Sequence, residues 1–120
     1  MTWIFHKETE NERSDSSGNW VTEFSAAGKL RDIEHIFQIY CEYTGDIGKK
    51  VRARVLVDGV PGAEESYVAI SSEDFKSFSP IGVFKPDAPE MEHVLELQFK
   101  AEDLPNTVRA RRTRLLVAQR

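Results

Sequence analysis

The chain has 120 residues, 40% hydrophobic and 10% aromatic, and its 16 basic and 20 acidic side chains give a formal net charge of −4. That length fits one domain burying roughly two-thirds of its unfolded surface, and the apolar content excludes a disordered chain. The acidic balance argues against a general nucleic-acid binder, whose domains are usually basic. Cys41 is the single cysteine, which excludes an intrachain disulfide. No run of about 18 apolar residues offers a membrane-spanning helix. No charged segment leads into an apolar one at the N-terminus, so synthesis in the cytoplasm is expected.

Trp3-Ile4-Phe5 is an apolar triplet. Behind it, His6 to Asn19 holds no aliphatic or aromatic carbocyclic side chain, a composition that supplies no core and reads as a tether. Two arrangements satisfy this pattern. Residues 1–19 form an arm that docks away from its own root, or the triplet is an edge strand of the same domain with a long surface loop behind it. Trp3, Ile4 and Phe5 are the candidate contact residues of the arm.

Residues 20–120 read as strand after strand. Trp20, Thr22 and Phe24 share one face, and Ala26-Ala27-Gly28-Lys29 reads as a turn. Ile33, His35, Phe37, Ile39, Cys41 and Tyr43 line one side of a long strand, with Glu34, Gln38 and Glu42 opposite. Ile33, Ile36 and Phe37 are also spaced for a helix, but the β-branched and aromatic residues through Tyr43 favour the strand. Cys41 is then a buried thiol acting as a small hydrophobe. After the turn Thr44–Gly48, the basic strand Lys49–Val57 sends Val51, Ala53, Val55 and Val57 inward. Asp58-Gly59 and Pro61-Gly62 are turn signals. Ser66–Ile70 is a short strand, Phe75 and Phe78 are spaced for one helical turn, and Ile81–Phe84 is a strand stopped by Pro86 and Pro89. Glu92–Lys100 alternates with His93, Leu95, Leu97 and Phe99 inward, and Glu102–Asn106 turns the chain into its last strand.

That last segment, Thr107–Arg120, carries five arginines and no acid, whereas residues 60–103 carry three lysines against ten acids. Separate acidic and basic territories suit a protein that meets its partner in a set orientation. Strict alternation would place Arg112 and Arg114 on one face with Val108 and Ala110. A bulge near Arg111-Arg112 instead gathers Val108, Ala110, Thr113, Leu115 and Val117 on one side and turns Arg109, Arg112 and Arg114 outward. These three are candidate partner-binding residues, arginine being enriched in interfaces; a solvated basic face is the bland reading. Nucleic acid is disfavoured here, because the domain is acidic and no aromatics cluster beside the arginines.

Catalytic and metal chemistry finds little footing. His6, His35, His93 and Cys41 lack zinc-ligand spacing. The pairs Glu64-Glu65, Glu73-Asp74 and Glu90 with Glu92 fall in turns, where acids serve solubility, and Asp46, Asp58 and Asp87 lack the spacing of a calcium loop. There is no Gly-x-Ser-x-Gly elbow and no glycine-rich phosphate loop. No catalytic residue, cofactor or metal is expected.

Seven to eight strands with turn clusters between them predict an all-β fold, an antiparallel β-sandwich or jelly roll with an N-terminal arm. Val51-Arg52-Ala53-Arg54-Val55-Leu56-Val57-Asp58-Gly59, Leu95-Glu96-Leu97-Gln98-Phe99 and Val108-Arg109-Ala110-Arg111-Arg112-Thr113-Arg114-Leu115 resemble, in strand style, the small jelly-roll proteins of tailed-bacteriophage virions. These include head-decoration (cement) proteins and tail-appendage domains. The resemblance implies a non-enzymatic protein of the virion, acting as a symmetric homo-oligomer on capsid or other virion subunits; the charge and hydropathy readings above add the expectation of no nucleic acid or membrane partner. No functional residue carries over from it. The alternatives are a carbohydrate-binding jelly roll using Trp20, Tyr40, Tyr43 or Tyr67 as a sugar platform, and a hydrolase using a carboxylate pair.

Overall fold

The computed structural model describes residues 2–29, 35–84 and 92–119, with the backbone alone for residues 2–7, 23–24, 26–29, 84, 92 and 119. The strands are β1 (Thr2–Thr9), β2 (Arg13–Asp15), β3 (Val21–Lys29), β4 (His35–Thr44), β5 (Lys50–Val57), β6 (Val60–Val68), β7 (Lys76–Phe78), β8 (Ile81–Phe84), β9 (Glu92–Ala101) and β10 (Val108–Gln119). Among the described residues there is no helix.

Sheet A has the order β1-β10-β4-β7, with β2 also on β10 and β8 also on β4; sheet B has the order β3-β9-β5-β6. All pairings are antiparallel. β1 and β2 follow one another along β10, and β7 and β8 along β4, so each pair is one interrupted strand. Counted so, the strands among the described residues number eight, within the seven to eight expected from the sequence. First lies beside last and third beside sixth in sheet A, while second lies beside seventh and fourth beside fifth in sheet B. That is a long hairpin rolled up across two layers, a jelly roll.

Period-two patterning explains the layers. His35, Phe37, Ile39, Cys41 and Tyr43 of β4 are all buried, and so are Val51, Ala53 and Val55 of β5 and His93, Leu95, Leu97 and Phe99 of β9. These faces meet in one core, where each fully buried Leu or Phe contributes about 1.5–3 kcal/mol. Tyr43 sits at its centre, edge-on to Tyr67 and Phe78 and tilted against Phe99 at 5.7 Å. Burial is also what pushes the Cys41 thiol and the Tyr43 phenol far above their usual ranges, so both stay protonated.

The expected bulge in β10 is present. Val108, Ala110, Thr113, Leu115 and Val117 are buried, the register against β4 slips between Arg111 and Arg114, and Arg112 takes φ +51°. Asp58 and Gly59 form the two-residue hairpin turn between β5 and β6, both with positive φ (51° and 79°), as a type I′ turn requires. His93 Nδ1 lies 2.6 Å from Asp58 Oδ2, and Asp58 Oδ1 accepts the Val94 amide at 2.8 Å, tying that turn to β9.

Four local expectations are corrected. Ala26–Lys29 is strand rather than turn: β3 runs on, pairing Ala26 with Leu95 and Lys29 with Glu92. Pro61 and Gly62 lie inside β6, an edge strand, where an absent N–H costs no ladder bond. In place of a helical turn at Phe75–Phe78, Lys76–Phe78 forms β7 against Cys41–Tyr43. The tether is half strand, since β1 reaches Thr9 and β2 spans Arg13–Asp15. The positions of Ile33, Pro86 and Pro89 lie outside the described residues.

Candidate functional site

The residues singled out in the sequence fall on two neighbouring strands. Trp3 pairs with Ala118 and Phe5 with Val117, with Ile4 at a register shift between them. Arg109 lies opposite Ser14 of β2 and Thr44 of β4. Arg114 lies between Glu8 of β1 and Tyr40 of β4. The apolar triplet and the arginines therefore sit at opposite ends of one strand ladder. The first residues are an edge strand on their own β10 in this structure.

The arginine row is not a bare basic surface, and this corrects the expectation of a separate basic territory. Arg114 Nε is 3.4 Å from Glu8 Oε2, Arg112 Nε is 3.9 Å from Glu10 Oε2, and Arg109 Nη1 is 3.3 Å from Glu12 Oε1. Arg111 Nε donates to Glu42 Oε1 at 2.8 Å, and Arg112 Nη1 reaches the same oxygen at 3.5 Å. Arg109 also donates to the Ser72 carbonyl at 2.6 Å. The Arg109 and Arg111 guanidinium carbons lie over the Phe75 ring, 5.2 and 3.7 Å from its centroid. Partners that the sequence reading missed are thus Glu8, Glu10, Glu12, Glu42 and Phe75. The signal was present: Glu8-x-Glu10-x-Glu12 is itself a period-two acidic row, spaced to face arginines on an antiparallel neighbour.

Glu42 is the anchor. Its side chain is 14% exposed, and its second oxygen accepts the Tyr40 hydroxyl at 2.7 Å. That hydroxyl, then Arg111 and Arg112, lowers the Glu42 pKa against the opposing effect of burial. The Glu8, Glu10 and Glu12 pairs are solvent-facing, where such contacts contribute about 0–1 kcal/mol each. Among the described residues, β1 and β2 pair with β10 and with no other strand, leaving the outer edge of β1 open.

On the outer face of sheet B, Arg54 stacks over Trp20 at 4.1 Å and donates to Gln98 Oε1 at 2.9 Å. Gln98 donates to Thr22 and Thr22 to Glu96. Trp20 is thereby fastened to the sheet. Among the described residues no group of three or more His, Cys, Asp or Glu side chains converges to hold a metal ion. No helix there is long and apolar enough to cross a membrane.

No protein-family model and no curated protein matches this sequence. Solved structures do match. The chain is similar to VP2 of infectious bursal disease virus in a subviral particle, with TM-score 0.62 at 10% identity, over 96% of this chain and 32% of that one. It is also similar to the insecticidal delta-endotoxin Cry8Ea1 of Bacillus thuringiensis (TM-score 0.55, 10% identity, 92% of this chain and 20% of that one). A Stig cyclase of Fischerella sp. TAU matches with TM-score 0.52 at 15% identity, over 78% of this chain and 52% of the cyclase. What they share is the fold. The chain spans about a third of VP2 and about half of the cyclase.

Proposed function

We propose that this chain is a non-enzymatic structural protein of a bacteriophage virion, a capsid decoration or cement protein that binds and stabilises capsid subunits as a homo-oligomer. It is made in the host cytoplasm and resides in the particle. The observation that carries this reading is the N-terminal strand: among the described residues β1 pairs with β10 and with no other strand, so its outer edge offers a row of backbone donors and acceptors. Such an edge is a ready template for a strand of another subunit, with main-chain hydrogen bonds giving affinity.

Trp3, Ile4 and Phe5 would supply the apolar contact at one end of that edge. Arg109, Arg112 and Arg114 would serve at the other end, clamping Glu12, Glu10 and Glu8 so that β1 is presented straight. Repetition over a symmetric shell makes many weak contacts tight in sum. The jelly-roll fold shared, over 96% of the chain, with VP2 of a viral subviral particle supports the reading. Electron cryomicroscopy of particles incubated with the protein tests it. The reading requires density for β1 alongside a capsid segment, and bare particles would refute it.

A further inference from the structure

Two depressions adjoin on the outer face of sheet A, and Tyr40 and Arg114 line both. The larger, about 350 Å³, is walled by Glu8, Glu10, Glu42 and Arg112. The smaller, about 170 Å³, extends it to Gln38 and Leu116. Together they form a groove of the size at which small-ligand sites begin.

Its floor is fixed. Glu42 receives Tyr40 at 2.7 Å on one oxygen and Arg111 at 2.8 Å on the other, which orients phenol and carboxylate together. Its walls are adjustable, for Arg112 and Glu10 are 3.9 Å apart with side chains 55% and 78% exposed. A direct charge-assisted bond is roughly 2.7–2.9 Å, so this pair keeps capacity for an inserted group. Arg112 holds φ +51°, a conformation most side chains avoid and one that persists where the surroundings impose it, often at a binding site.

The charges decide the ligand class. Glu8, Glu10 and Glu42 face Arg112 and Arg114 in the lining, and Arg111, bonded to Glu42 Oε1 from outside it, offsets the third carboxylate, so an anion meets three carboxylates and a cation meets two guanidinium groups beside carboxylates already paired. A neutral polyol meets neither penalty: each hydroxyl donates to a carboxylate and accepts from a guanidinium, and the Tyr40 ring offers apolar surface to a sugar's C–H face. We propose that this groove binds a neutral hexopyranose unit of a glycan. The site lies on the face of sheet A, whereas the subunit contact above uses the in-plane edge of β1, so one does not obstruct the other.

Saturation-transfer NMR on the isolated chain tests this with the methyl glycosides of glucose, galactose, mannose and N-acetylglucosamine, and with N-acetylneuraminic acid as the charged comparison. The expected result is transfer to at least one neutral glycoside, weakened at least about tenfold by Glu42→Gln and by Arg112→Gly. Glycine accommodates the backbone at 112, so that variant remains folded and its loss of binding reports the guanidinium. Absence of transfer to every neutral glycoside, transfer to the acidic sugar alone, or transfer unchanged in both variants would overturn the proposal. None of these outcomes depends on particle binding.

Discussion

Arg111 and Arg112 share one acceptor, Oε1 of Glu42, at 2.8 and 3.5 Å, although consecutive residues of a regular strand point to opposite faces. The bulge in β10 makes this possible, at the cost of a left-handed backbone at Arg112 (φ +51°). Replacing Arg112 by glycine should relieve about 1 kcal/mol of strain, while the two ion pairs it gives up involve a side chain 55% exposed and count for little. We expect R112G to match or exceed the wild type in urea-unfolding midpoint, and R112V to fall below it, because a β-branched residue resists positive φ.

Glu42 sets the direction of one pH dependence. Its folded pKa is lowered, by the Tyr40 hydroxyl first. Its contribution is therefore present above the unfolded carboxylate pKa, about 4.3, and is lost as pH falls through the lower folded value. Urea melts between about pH 6 and pH 2 should show stability falling on acidification, with part of that slope missing in E42Q. The substitution itself should cost about 1–3 kcal/mol at neutral pH by weakening three hydrogen bonds to a little-exposed group. A slope identical in the two proteins would contradict the anchoring role.

Gly82 of β8 lies against the Phe37 ring, so closely that a Cβ at this position overlaps the ring carbons. G82A should destabilise by about 1–3 kcal/mol through overpacking. Combining it with Phe37→Leu should recover part of the loss, a coupling that a double-mutant cycle measures directly.

The Glu8–Arg114, Glu10–Arg112 and Glu12–Arg109 pairs align β1 and β2 on β10. Reversing all three acids to lysine should raise hydrogen exchange across Thr2–Thr9 while leaving exchange in β4, β5 and β9 unchanged. In the wild type, exchange in β1 should also rise with salt, since these exposed pairs are screened.

The parts of the fold legible in the sequence are those with one face wholly buried. On β4, β5 and β9 the core side follows every second residue, and the phase slip from Ala110 to Thr113 revealed the β10 bulge because Arg112 could not enter the core. Edge strands were harder. Ala26-Ala27-Gly28 and Pro61-Gly62 resemble turns because an edge tolerates small residues and a missing N–H. The charged row Glu8, Glu10 and Glu12 was hidden for another reason: its meaning depends on arginines far along the chain, 97 residues away for Glu12 with Arg109. Composition alone marked that stretch as a tether. Of the candidate site, the arginines and the apolar triplet were visible, but their neutralising partners appear only once β1 is placed beside β10.

The open edge of β1 is the proposed junction between this domain and a capsid subunit. Co-sedimentation of the chain with purified phage particles, alongside a variant lacking residues 1–9, measures it most directly. We predict saturable binding at a fixed ratio per particle for the full chain and near-complete loss for the shortened one, which should remain folded by circular dichroism. Equal binding of the two, or no binding of the full chain, would rule out that junction.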